Sequence, residues 1–147
     1  MLEIIWGIKT KAMLDVWSIE HILSGMSIGY FVSKFNTKLW IKHGLSTMPT
    51  IFKKYADVIA ILFLAFTWET FEHYIEIGLC GEWLKYWFQG VEFWPNRLIF
   101  DPLCMWLGYV FITRYTRYIL VARVASFVWL FIHLFIFPHS MYLHELF

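Results

Sequence analysis

Charge is scarce in this sequence. Only 16% of its 147 residues are charged, against about 25% in a typical soluble domain. A disordered chain needs many charges and few apolar groups, so that class is excluded. The charges nearly cancel, at a formal +1, so no basic footprint argues for nucleic acid. Cysteine is as scarce: Cys80 and Cys104 are the only two, too few for a secreted disulfide scaffold. No stretch rich in Gly, Ser or Pro serves as a linker and no internal repeat occurs, so residues 1–147 read as a single domain. There is no Gly-rich phosphate loop, no nucleophile elbow and no His-Glu-x-x-His motif.

Apolar residues are abundant instead. The chain is 60% hydrophobic and 22% aromatic, with a mean hydropathy of +0.59. This surplus exceeds what one small core hides, and it predicts a chain whose solvent is a lipid bilayer rather than an ordinary soluble enzyme. A span needs about 20 mostly apolar residues. Leu14–Phe35, Tyr55–Ile77 and Tyr118–Pro138 qualify, and Leu103–Tyr118 is a shorter fourth. They lack the alternation of barrel strands. The expectation is an all-α, four-transmembrane-helix bundle with spans near 14–35, 55–77, 102–118 and 118–138. Between the second and third spans, Glu82, Lys85, Gln89 and Glu92 recur at helical spacing beside a stripe of Trp83, Trp87, Val91 and Trp94. That pattern predicts an interfacial amphipathic helix over Glu82–Trp94. The first apolar run carries Asp15, Glu20 and His21 and is expected to stay as a mature helix, not a cleaved signal. Lys34, Lys38, Lys42, Lys53 and Lys54 place the first connection inside, with both termini outside.

Ionisable groups within such spans are candidate site residues. Glu69, Glu72, His73 and Glu76 are spaced i, i+3, i+4 and i+7, one face of a helix. Stacked carboxylates need a cation, protons or a positive partner. His21, His73 and His133 come from three different spans at similar depth. With Glu72 or Asp101 they make a metal-ligand set for a divalent transition ion such as zinc, iron or manganese. Glu69, Glu72 and Asp101 are the candidate catalytic carboxylates, with Glu69 or Glu76 as general base. Trp94, Asn96 and Arg97 are candidate substrate contacts, since a guanidinium grips a carboxylate or phosphate bidentately. Plainer roles stand beside these. His133 suits an interhelical hydrogen bond, and Asp101 before Pro102 suits a helix cap. His21, Gly25 and Gly29 form a small-residue face suited to close packing, which turns His21 inward.

The run Trp68-Glu69-x-x-Glu72-His73, then Asn96-Arg97-x-x-x-Asp101 and Gly108, resembles the VanZ-like group and neighbouring uncharacterised families of small bacterial membrane proteins. The resemblance covers about 45 residues and implies a role in the cell envelope. The functional expectation is an intramembrane, metal-dependent hydrolase or transferase acting on a lipid or lipid-linked substrate near the outer leaflet of a bacterial inner membrane. The alternatives are a proton or metal-ion transport component, and a non-catalytic subunit of a homo-oligomer or larger membrane complex.

Overall fold

Asp15 opens the first long helix. Its Oδ1 accepts from the backbone N–H of Trp17 at 2.7 Å and of Ser18 at 3.2 Å, while Ser18 Oγ accepts from the Asp15 N–H at 3.1 Å. This reciprocal cap pairs donors that the first turn of any helix leaves free. The computed structural model describes residues 2–88 and 90–136, apart from the side chains of Leu2 and Leu134. In chain order the helices are α1 (Leu2–Ile5), α2 (Val16–Lys42), α3 (Thr50–Glu76), α4 (Glu82–Trp87), α5 (Asp101–Arg114) and α6 (Ile119–Phe131). A π-helical turn, Asn96–Phe100, leads into α5, and another, Ile132–Ile136, continues α6. Asp15→Ala should lower stability by about 1–2 kcal/mol, the usual worth of a lost N-cap, read as a shift in the urea midpoint.

Helix α2 is central and packs against α3, α5 and α6. Val32, Ile61, Ala65, Met105 and Tyr109 join α2, α3 and α5 in one buried cluster. Met26, Ile112 and Ala122 join α2, α5 and α6 in another. The closest approach is between α2 and α5. A Cβ on Gly25 would sit 2.0 Å from the Met105 carbonyl oxygen, and one on Gly108 would sit 2.1 Å from that of Ile22. Both obstacles are backbone, so neither can rotate aside. Gly25→Ala should force the helices apart and cost about 2–3 kcal/mol, the range for overpacking. Ile22→Ala, at a partly exposed neighbouring position, serves as the control in the same thermal melt.

The membrane-span expectations are overturned. No helix among the described residues is long and apolar enough to cross a membrane. The four-transmembrane-helix bundle, the multi-pass inner-membrane localisation and the inside–outside assignment of the termini fall together. The physical reason lies in each segment. Helices α2 and α3 each have 27 residues, but charged groups interrupt them: Glu20, Lys34, Lys38 and Lys42 in α2, and Lys53, Lys54, Asp57, Glu69, Glu72 and Glu76 in α3. Helix α5 has 14 residues and α6 has 13; at 1.5 Å per residue each runs about 20 Å, short of a hydrocarbon core of about 30 Å. The proposed end of the fourth span at Pro138, and His139, lie outside the described residues.

The interfacial helix is corrected too. Helix α4 stops at Trp87, and the backbone turns at Phe88 (ψ 52°) and again at Gly90 (φ 78°). Within the supposed polar stripe, Glu82 stays exposed while Glu92 turns inward and is buried; Gln89 lies outside the described residues. The apolar surplus noted in the sequence faces outward: Phe63, Leu79, Trp83, Leu120, Phe127 and Phe135 are each at least 70% exposed.

Candidate metal centre

Three elements deliver three side chains to one point. Ser18, His21 and Gly25 share a face of α2, and the small residue at Gly25 brings α5 close enough for Asp101 to reach His21. In α3, Asp57, Ile61, Ala65 and Glu69 recur every four residues and are all buried. Glu69 thus occupies a core position on the inner face, next in line after Ile61 and Ala65. Asp101 follows the π-helical turn, whose N–H-to-carbonyl bond from Asp101 to Asn96 spans five residues. That wider turn puts Asn96 and Asp101 on one side, a common use of π-turns at functional sites.

His21 Nε2 lies 3.5 Å from Glu69 Oε1 and 3.5 Å from Asp101 Oδ2. One ligand atom from each residue falls within 4.8 Å of the other two. Glu69 is 1% exposed, Asp101 0% and His21 8%. Among the described residues no hydrogen-bond donor serves either oxygen of Glu69 or Oδ2 of Asp101. Buried acceptors are almost always paired, so three unpaired oxygens around one imidazole fit a cation. Burial lowers the His21 pKa to about 4, which keeps the imidazole neutral and its lone pair free. Burial raises Glu69 to about 10, with Glu72 and Glu92 adding repulsion, and raises Asp101 as well, with Asp15 and Glu69 adding to it. Without an ion Glu69 holds a proton, which an ion would displace. Ser18 Oγ donates to Asp101 Oδ1 at 3.0 Å and so fixes which oxygen faces His21. Asp101 is the first residue of α5, inside its N-cap Phe100, and its side chain receives Ser18 Oγ from α2, so it serves this cluster rather than capping the helix.

A second layer surrounds the first. Glu76 accepts from Lys9 Nζ, from Arg97 Nη2 and from the Glu92 backbone N–H at 3.1 Å. Lys9 is 1% exposed, also lies 3.9 Å from Glu72, and its carbonyl accepts from the Phe93 N–H at 2.8 Å. Asn96 Nδ2 donates to Glu92 Oε1 at 2.7 Å and to Asp15 Oδ2 at 3.2 Å. The chain before α2 is thereby tied over the ends of α3 and α5.

The expected site residues therefore divide. His21, Glu69 and Asp101 meet. Glu72 is directed to Lys9 instead, its carboxyl raised to about 7 by burial, which outweighs the lowering by Lys9. His73 accepts from Arg97 Nη1 at 2.8 Å through Nδ1; a guanidinium only donates, so that lone pair is committed. His133 donates from Nδ1 to the Trp129 carbonyl at 2.7 Å and packs 5.0 Å from the Trp17 ring, an interhelical position rather than a ligand of this group. Asn96 and Arg97 are buried among carboxylates, and Trp94 is exposed. Glu20, a further ionisable group of the first apolar run, accepts from Ser24 and Ser126 and sits against α6. Sequence reasoning set Glu92 on the polar stripe of an interfacial helix and passed over Lys9 and Ser18 as site residues and the capping role of Asp15. Asp15-x-x-Ser18 ahead of an apolar run was a legible cap signal; nothing local marks Lys9 or Glu92, which act through contacts 67 and 16 residues away.

Comparison with known families, characterised proteins and solved structures finds no match to this chain.

Proposed function

We propose that the chain is a metal-dependent enzyme of hydrolysis or group transfer, holding a divalent transition ion (zinc, iron or manganese) at His21, Glu69 and Asp101 and acting on a lipid or lipid-linked substrate. The observation that carries this reading is the convergence of one neutral imidazole with three unpaired, buried carboxylate oxygens. Three protein ligands leave coordination positions open, as catalytic centres require. The ion would supply a Lewis acid for a carbonyl or phosphoryl oxygen. Ser18 holds Asp101 in orientation, and Arg97, neutralised by Glu76, braces the segment that carries Asn96 and Asp101. Support for an amphipathic substrate comes from the same segment: Trp94, Leu98, Ile99 and Leu103 are between 41% and 62% exposed. The test is product release from long-chain carboxylic and phosphoric esters by purified protein loaded with Zn²⁺, Mn²⁺ or Fe²⁺. Release should depend on the ion and vanish in Asp101→Asn. Equal turnover after chelation, or in Asp101→Asn, overturns the proposal.

A second reading is a subunit of a homo-oligomer or larger assembly. The observation favouring it is the set of strongly exposed aromatic and aliphatic side chains on α3, α4 and α6, more than isolated apolar surface residues require. Mass measurement in solution tests it: a monodisperse monomer, stable on storage, removes the reading.

A further inference from the structure

We infer that the end of the bundle formed by the α2–α3 and α5–α6 connections docks on an anionic lipid surface, without crossing it. This end lies opposite the one that holds His21, Glu69 and Asp101, and its role is independent of any ion bound there.

The net charge of +1 hides a division along the helices. Gly25 and Gly29 of α2 abut Met105 and Tyr109 of α5, so these two helices run parallel. His21 meets Glu69, and further along α2 Asn36 Nδ2 donates to Asp57 Oδ1 at 2.7 Å, so α3 runs back along α2. Ser126 meets Glu20 and Trp129 meets Val16, so α6 runs back as well. The last turns of α2 and α5 and the first turns of α3 and α6 therefore share one end. Residues 30–60 and 109–123 carry eight of the twelve Lys and Arg of the chain: five lysines from Lys34 to Lys54, then Arg114, Arg117 and Arg123. The same residues carry one acid, Asp57, which is buried and accepts from Asn36 and, at 3.3 Å, from Tyr109. None of the eight cations forms an ion pair among the described residues, and all but Lys53 are exposed.

This end is apolar as well as basic. Phe31, Phe35, Ile41, Phe52, Tyr55 and Ile59 are each more than half exposed. Lys34, Arg114 and Arg117 lie 5.4, 5.8 and 4.8 Å from the ring centroids of Tyr30, Tyr115 and Tyr118. Rings and cations side by side suit the headgroup layer of a bilayer, where rings lie among the headgroups and cations reach lipid phosphates. Other surroundings satisfy only part of the surface. Water solvates the charges and leaves the apolar groups unfavourably exposed. A nucleic acid pairs with cations and stacks on rings, but it offers nothing to the exposed aliphatic Ile41, Ile59 and Leu120. A second copy of the chain would have to answer the cations with exposed acids, and among the described residues those are Glu3 and Glu82.

The experiment is flotation of the purified full chain with vesicles of phosphatidylcholine alone or of an equal mixture with phosphatidylglycerol. The chain should float with the anionic vesicles and stay behind with the neutral ones. Raising salt from about 0.1 M to about 1 M, which shortens screening from about 10 Å to about 3 Å, should release most of it. Lys38→Gln combined with Lys42→Gln should weaken binding about 25-fold, or about fivefold for each lysine lost. Lys85→Gln, which removes a cation near the other end, should change binding by less than about twofold, since it lies beyond the screening length. Equal flotation with both vesicle types, flotation indifferent to salt, or none with the anionic vesicles overturns the inference. So does an oligonucleotide bound more tightly than anionic vesicles at the same salt, or an equal loss in the Lys38/Lys42 and Lys85 variants. Vesicle composition and salt response of the unaltered chain decide the matter even where a variant fails to fold.

Discussion

Glu69→Gln should weaken Zn²⁺ or Mn²⁺ binding by more than about 100-fold, beyond the range seen when only an outer partner of a ligand is lost, and should make the metal-free chain more stable. The two effects have opposite signs for one reason. Among the described residues no donor serves either buried oxygen of Glu69. In the folded, ion-free chain the group must hold a proton or sit as an uncompensated charge. A glutamine has nearly the same shape and carries no charge, and its amide N–H can donate to the unpaired Oδ2 of Asp101. Relieving an unsatisfied buried group is worth about 1–3 kcal/mol. A residue that merely supports the fold would lose stability and ion binding together. A ligand carboxylate exchanges stability for function.

The comparison variant is Glu72→Gln, one turn along the same helix. Glu72 lies 3.9 Å from Lys9 and outside the His21 group, so this change should leave ion affinity near that of the unaltered chain. Isothermal titration gives the affinities and urea unfolding gives the stabilities. Equal losses of affinity in both variants, or a metal-free Glu69→Gln chain less stable than its parent, would remove Glu69 from the ligand set.

The contrast between Glu69 and Glu72 also marks how far the sequence could be read. The i, i+3, i+4, i+7 face of α3 was legible as a stack of acids and an imidazole. Which member meets which partner was not. Asp101 reaches His21 because Gly25 lets α2 and α5 approach closely, and Glu69 meets it from the buried face of α3, whereas Glu72 and Glu76 are drawn to Lys9 in a segment before α2. Those pairings depend on contacts between distant parts of the chain, which no local pattern encodes. The small-residue face of α2 and the inward turn of His21 were readable from spacing alone. The helical class was readable too, but apolar content misled on the spans: the third ends as an α-helix at Arg114, and acids set inside α3 for the cluster lower its hydropathy. The π-turn that aligns Asn96 with Asp101 has no sequence signal comparable to a cap or a glycine turn.

Stability of the metal-free chain should fall as pH rises from 6.5 to 9, and added Mn²⁺ should reverse the trend. Glu69 has its pKa raised from 4.5 to about 10 by burial first and then by Glu72, Glu92 and Glu76, with Arg97 opposing. Glu92 is raised to about 11, again by burial first, then by Asp101, Glu72 and Asp15. A group whose folded pKa lies above its unfolded value binds more protons when folded. Its contribution is complete below the unfolded pKa and is lost as pH climbs towards the folded one. Each of the two carboxyls can therefore remove up to about 1.4 kcal/mol per pH unit across this window. His21 works in the other direction: burial lowers it from 6.5 to about 4, so the folded chain binds fewer protons there and stability is lost as pH falls through that interval. Below pH 6.5 His21 is offset in turn by Glu72, raised from 4.5 to about 7, so Glu69 and Glu92 alone set the decline on the alkaline side. An ion binds the deprotonated carboxylates, so its stabilisation grows as pH rises. Urea midpoints at pH 5, 6, 7, 8 and 9, with and without Mn²⁺, should give two curves that diverge towards alkaline pH. A metal-free curve that rises from pH 6.5 to 9 would mean that Glu69 is already paired, and the cation position built on its unpaired oxygens would then be lost.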